Sequence, residues 1–155
     1  MMALVQEDLD GASAETGVRL TQFFLEDDAL WLWRYRLSQL AADPRIEPWL
    51  VRIVALDADG AVVGHGGFHG APDADGMVEL GYGVDPAHRR KGYARAMLIE
   101  LLSRATADPQ IKVVRAAIRP DNVASLATIN GFGFTQVGEQ IDEIDGLELL
   151  FERPA

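Results

Sequence analysis

The sequence predicts one α/β (α+β) domain over residues 1–155, with a mixed, mostly antiparallel central sheet flanked by helices. Three observations carry this. Asp57-Ala58-Asp59-Gly60 lies between two β-branched runs, "WLVRIVAL" and "AVVGHGGFH", which is a hairpin signal. Ala94, Met97, Leu98, Leu101, Leu102 and Ala105 recur at i, i+3, i+4, i+7, i+8 and i+11, the clearest helical face in the chain. That helix stands between two strand patterns, "MVELGYGV" and "KVVRAAI", and strand–helix–strand order makes the sheet mixed.

Taken in order, a short strand is expected around Ala3 to Val5, then a broken helix over "EDLDGASAETG". "TQFFLEDDALWLWRYRLSQLAA" places Phe24, Leu30, Trp31, Tyr35, Leu37 and Leu40 near helical spacing, and Pro44 and Pro48 end that helix. The hairpin follows. The loop "GAPDADG" leads into "MVELGYGV", where Gly81 and Gly83 weaken the ladder and mark a bulge or a close approach to the backbone. Asp108-Pro109 stops the next helix, and "KVVRAAI" is a strand. Pro120-Asp121-Asn122 opens a shorter helix, with Asp121 or Asn122 as N-cap and Gly131 as its stop. "FTQVGEQI" and "LELLFE" close as a hairpin around "DEIDG".

The chain is long enough to bury a core. It has no cysteine, so disulfides, thiolate metal sites and a cysteine nucleophile are excluded. A formal charge of −10 disfavours nucleic acid as a main partner; it either favours cationic partners mildly or merely aids solubility. "MMALVQEDLD" lacks the basic and apolar regions of a secretion signal, and no apolar run approaches the roughly 20 residues that cross a bilayer. The expectation is a cytoplasmic protein with no membrane partner. Monomer and homodimer are both open, since the closing hairpin could pair with a second chain but nothing demands it.

Against that acidity, Arg89, Arg90, Lys91 and Arg95 crowd around Gly92, with His88 just before them. A strand ending at Val84, a basic turn and a helix from about Tyr93 together suit an anion. The first N–H groups of a helix lack intrahelical partners, and its dipole places partial positive charge there. Gly92 permits close approach, and small Ala94 keeps the first turn uncluttered. Phosphate is the natural guest, with arginines adding charge-assisted bonds. The plainer reading is a basic surface turn before an amphipathic helix. Neither common nucleotide-binding glycine fingerprint is present.

"VDPAHRRKGYA" resembles the acyl-coenzyme A signature of the GNAT superfamily of N-acetyltransferases, Arg/Gln-x-x-Gly-x-Gly/Ala, met as Arg89-x-x-Gly92-x-Ala94. "VELGYGVDP" before it and "NVASLATINGFGF" after it resemble the same family in order and spacing, and particularly the branch of ribosomal-protein N-terminal acetyltransferases. The resemblance covers roughly residues 50 to 152. It implies acetyl-CoA as co-substrate, with its pyrophosphate on the backbone N–H groups of Arg90, Lys91, Gly92, Tyr93, Ala94 and Arg95, and Arg89 beside them. It also implies a pantetheine arm lying along "GYGV", the Val84 N–H facing the thioester oxygen, and central parallel strands that splay at a bulge, for which Gly81 and Gly83 are suited.

The resemblance further implies an N-acetyltransferase acting on a primary amine of a small molecule, a peptide N-terminus or a protein. An alkyl ammonium with a pKa of about 10 is protonated at neutral pH, so a base or a water relay helps. Glu79, five residues before Val84, is the candidate base by family position, or else a solvent-facing strand carboxylate. Many relatives carry a tyrosine seven residues after the position of Asn122, but here that residue is Ile129. Ser125, the replacement in the ribosomal branch, is the candidate acid, a hydrogen-bond donor to sulfur, or a neutral helix-surface serine. Asn122 either bonds the pantetheine amide or only caps its helix. Loss of the tyrosine leaves a non-catalytic acyl-CoA sensor as the alternative function. His65 and His69 share one strand face, where structural or substrate-lining roles are expected and no metal site is assigned.

Overall fold

Strand pairing, more than helix packing, decides where a ligand can enter this molecule. The computed structural model describes residues 1–155. Helices α1 (Met2–Val5), α2 (Leu9–Thr16) and α3 (Asp27–Ala42) come first, with a 3-10 turn at Gln22–Leu25 before α3 and another at Pro44–Trp49 after it. Strands β1 (Arg52–Ala55), β2 (Val62–Phe68) and β3 (Met77–Val84) follow, then α4 (Tyr93–Ala107), β4 (Val113–Ile118), α5 (Val123–Ile129), β5 (Thr135–Asp142) and β6 (Gly146–Pro154). The sheet order is β1-β2-β3-β4-β6-β5. Every neighbouring pair is antiparallel except β3 with β4.

One expectation fails at the start. The Ala3–Val5 stretch is helical, with Val5 N–H donating to Met1 O and Gln6 N–H to Met2 O at 3.1 Å. Ala3 and Leu4 turn inward to the cluster formed with Ala12, Leu30 and Trp33. A run this short has no readable period, so burial against α3 decides its conformation. The expected broken helix is the continuous α2, capped by Asp8 and closed by left-handed Gly17.

The two cores lie on opposite faces of the sheet. Residues 64, 66 and 68 of β2 face α4: a Cβ on Gly66 would stand 3.8 Å from a Leu101 methyl, and Phe68 packs with Leu98, Leu101 and Val114. Residues 65, 67 and 69 face the other way, toward α3. The apolar stripe of α4 buries Met97, Leu98, Leu101, Leu102 and Ala105, the periodic residues expected to do so.

The central parallel pair is short. β3 and β4 are in register only from Met77↔Val113 to Glu79↔Arg115. Beyond that point β3 stays bonded to β2 as far as Gly64↔Val84, while β4 stays with β6 as far as Ile118↔Leu149. Each strand therefore keeps its outer partner and loses its inner one, which opens a wedge. The expected splay is present, but the expected bulge is not. The β2–β3 ladder runs without a register shift through Gly81 and Gly83. These glycines make room for imidazoles instead: a Cβ on Gly81 would lie 2.7 Å from His69 Nε2, and one on Gly83 would lie 2.8 Å from His65 Nε2.

Candidate active site at the strand splay

Directly beyond the open end of the wedge, the chain turns into α4. Asp85, 5 % exposed, anchors the turn: its Oδ1 accepts from Ala87 N–H at 2.9 Å and its Oδ2 accepts from the Thr21 hydroxyl at 2.5 Å. Arg90 and Gly92 then adopt positive φ, 60° and 85°. The first helical bond is Ala96 N–H to Gly92 O. No backbone carbonyl accepts from the N–H groups of Arg90 through Arg95. A helix end ordinarily leaves four such donors, and the two positive-φ residues extend the run to six. A Cβ on Gly92 would meet nothing within 4 Å, so the space beside this glycine is open.

The basic side chains frame that space unequally. Arg89 Nε donates to Val84 O at 3.2 Å, and Lys91 Nζ donates to Ala87 O at 3.3 Å. The Arg95 guanidinium lies over the Phe132 ring at 4.4 Å, while Arg90 is exposed. Tyr93 and Ala94 are half-buried in the first turn of α4. Val84 ends β3. Because Asp85 N–H donates back to Val63 O, ladder alternation turns the Val84 N–H away from β2 and into the wedge.

Glu79 sits where the parallel strands part. Its β4 neighbour Arg115 is committed to Glu152 of β6, with Nε to Oε1 at 2.9 Å. Glu79 Oε1 instead lies 3.1 Å from His69 Nδ1 and keeps access to solvent, with 23 % of its side chain exposed. Behind this pair, Arg36 is 3 % exposed and donates from Nη1 to Gln39 Oε1 at 2.7 Å and His69 O at 2.9 Å. Burial lowers the Arg36 pKa, and neighbouring Tyr35 and Glu79 push it back up. Nothing in the sequence marked Arg36, because a lone arginine on a helix reads as surface. Trp31 and Tyr35 stack at 5.1 Å on the exposed side of α3, whereas Trp33 is core and donates its Nε1–H to Phe24 O.

His65 and His69 share a face as expected but differ in environment. His65 stacks on Phe23 at 5.4 Å and meets the Trp33 edge at 5.3 Å. Enclosure, and secondarily the Arg36 charge, push its pKa down from 6.5 to about 4. A depressed histidine pKa means the unfolded chain takes up the proton first. Stability is therefore full above pH 6.5 and is lost as pH falls toward 4, by at most about 3 kcal/mol because the ring keeps some solvent contact. The thermal midpoint should fall across this window, and His65→Gln should flatten the slope; an unchanged slope would count against the assignment.

On α5, Asn122 caps the helix, its Oδ1 accepting from Ser125 N–H at 3.1 Å. Its side-chain amide nitrogen is left free for another partner. Ser125 is half-buried, and Ile129 is core at 4 % exposure. Tyr82, which the sequence did not single out, reaches across from β3. Its hydroxyl is buried with no hydrogen-bond partner, and burial raises its pKa, with the nearby Ser125 and then Thr128 drawing it partly back. An aromatic between two glycines, "GYG", was the available signal.

The family description "Acetyltransferase (GNAT) domain" matches residues 5–135. The chain belongs to the GNAT acetyltransferase family. Acetyl-CoA is this family's co-substrate, and the splay with free amides beyond it fits such a ligand. Over 73 residues the GNAT chain is 36 % identical to "Uncharacterized N-acetyltransferase YjdG" of Bacillus subtilis, covering 47 % of this chain and 44 % of that protein. Over 69 residues it is 39 % identical to the L-2,4-diaminobutyric acid acetyltransferase of Streptomyces anulatus, covering 44 % and 36 %. The matches thus span less than half the length of either relative. In fold it is similar to the ribosomal-protein-S5-alanine acetyltransferase of Vibrio fischeri, with a TM-score of 0.65, 17 % identity, and 88 % and 76 % of the two chains covered. No helix of this GNAT chain is long and apolar enough to cross a membrane.

Proposed function

We propose that this chain is a single-domain, acetyl-CoA-dependent N-acetyltransferase that passes the acetyl group directly to a primary amine. The observation that carries the reading is the run of six unpaired amides, Arg90 to Arg95, beyond the open end of the wedge. Acetyl-CoA brings an activated thioester together with a diphosphate and an amide-rich arm. The six amides donate to the diphosphate, with Arg89, Arg90 and Lys91 adding charge. The free Val84 N–H, on the wedge side, donates to the acyl oxygen, and the Asn122 side-chain amide donates to the arm.

Glu79 accepts the proton of the incoming ammonium, directly or through one water, since it is partly solvated and lies at the mouth of the splay. Ser125 protonates or hydrogen-bonds the departing sulfur. Without a cysteine no thiol-bound acetyl-enzyme forms, so both substrates are held at once. The acceptor is an amine on a small molecule, a peptide N-terminus or a protein, in keeping with the diamino acid and ribosomal-protein alanine named for the relatives. We read the chain as cytoplasmic, as a monomer or homodimer, and as independent of nucleic acid and membrane.

A second reading, a non-catalytic acyl-CoA sensor, draws on Ile129, an apolar core residue at the position where many relatives place a tyrosine. CoA release with spermidine, L-2,4-diaminobutyrate and alanine-terminated peptides separates the two. Amine-dependent release with at least one acceptor is expected. Tight acetyl-CoA binding with background release throughout favours the sensor, and equal competition by free phosphate favours a plain anion site.

A further inference from the structure

Tyr82 lies within the wedge, on the β3 segment that has lost its β4 partner. Its ring packs against the α4-side core that β3, α4 and β4 share, and that packing sets the ring's position. Its hydroxyl is buried and has no hydrogen-bond partner. A buried donor left without an acceptor is costly, so this phenol should have a partner in the working state. The two hydroxyls that bear on it are Ser125 and Thr128. Thr128 has already spent its proton on Ala124 O at 2.8 Å, and it can only accept from Tyr82. Ser125 makes no side-chain bond of its own, because its tie to Asn122 runs through the backbone N–H.

We propose that Tyr82 is a positioning residue that donates its phenolic proton to Ser125 Oγ, leaving the Ser125 proton as the one directed at the departing sulfur. This rests on the role given to Ser125 above. With its phenol in place, Ser125 has one acceptor site occupied and its rotor fixed. Without it, the hydroxyl is free to back-bond within α5, as Thr128 does, and its proton leaves the wedge. The device would supply, from β3, part of what Ile129 cannot supply from α5.

Two measurements test it. In the ligand-free protein, phenolate absorbance of the wild type minus that of Tyr82→Phe isolates Tyr82 from Tyr35 and Tyr93; in the Ser125→Ala background the Tyr82 titration should move to higher pH, because a donor to the phenolate is lost. In turnover with the best acceptor of the panel, Tyr82→Phe should lower kcat about 10-fold with the KM for acetyl-CoA within about 2-fold, and should add nothing in the Ser125→Ala background. An unmoved titration, or losses that multiply in the double variant, overturns the role of Tyr82 alone. A wild type that turns over none of the amines overturns the catalytic reading and this inference with it. Retained thermal midpoints in Tyr82→Phe separate either result from misfolding.

Discussion

Gly92→Glu should weaken acetyl-CoA binding at least about 100-fold, because a carboxylate about 4 Å from a diphosphate repels each charge by roughly 1–4 kcal/mol. The site makes the test clean. Nothing lies within 4 Å of the added Cβ, so the first atom of the new side chain meets no clash in the free protein. The cost to folding is the left-handed φ of 85°, about 1 kcal/mol, seen as a modest drop in thermal midpoint. Gly92→Ala carries that same strain without the charge. Calorimetry should therefore rank wild type, Gly92→Ala and Gly92→Glu in falling affinity, with the second gap the larger. Equal affinities for all three would remove the diphosphate from this turn.

Glu79→Gln should lower kcat about 100-fold while leaving acetyl-CoA affinity within about 2-fold, the split expected when a general base is lost without disturbing binding. Glutamine keeps an oxygen at the Oε1 position, 3.1 Å from His69 Nδ1, so the side chain's shape survives and only proton acceptance is removed. Arg115 cannot redirect toward the vacancy without leaving Glu152. The residual rate should rise with pH, as more acceptor amine is already deprotonated. If the variant keeps wild-type kcat across that pH series, Glu79 is a strand carboxylate and the base lies elsewhere.

Much of the fold was legible because its signals are local. The α4 stripe, both hairpins and the Asn122 cap each follow from spacing within one element, and each is found where expected. The helical first turn at Met2–Val5 was not legible, since four residues carry no period and their burial against α3 is tertiary. Gly81 and Gly83 show a subtler limit. Their missing side chains did signal a close approach, but to His65 and His69 one strand away rather than to a bulge. At the site, the basic turn was readable from "HRRKG", whereas Tyr82 facing Ser125 and buried Arg36 behind Glu79 depend on contacts between distant segments.

In the proposed complex the amides of Arg90 to Arg95 grip the diphosphate. Amide proton and nitrogen shifts recorded during a titration with acetyl-CoA, with no amine present, test it most directly. Saturable downfield movement of the residue 92–95 amides, with Val84 following, is the predicted result. Saturation elsewhere in the chain while those amides stay still would contradict the account.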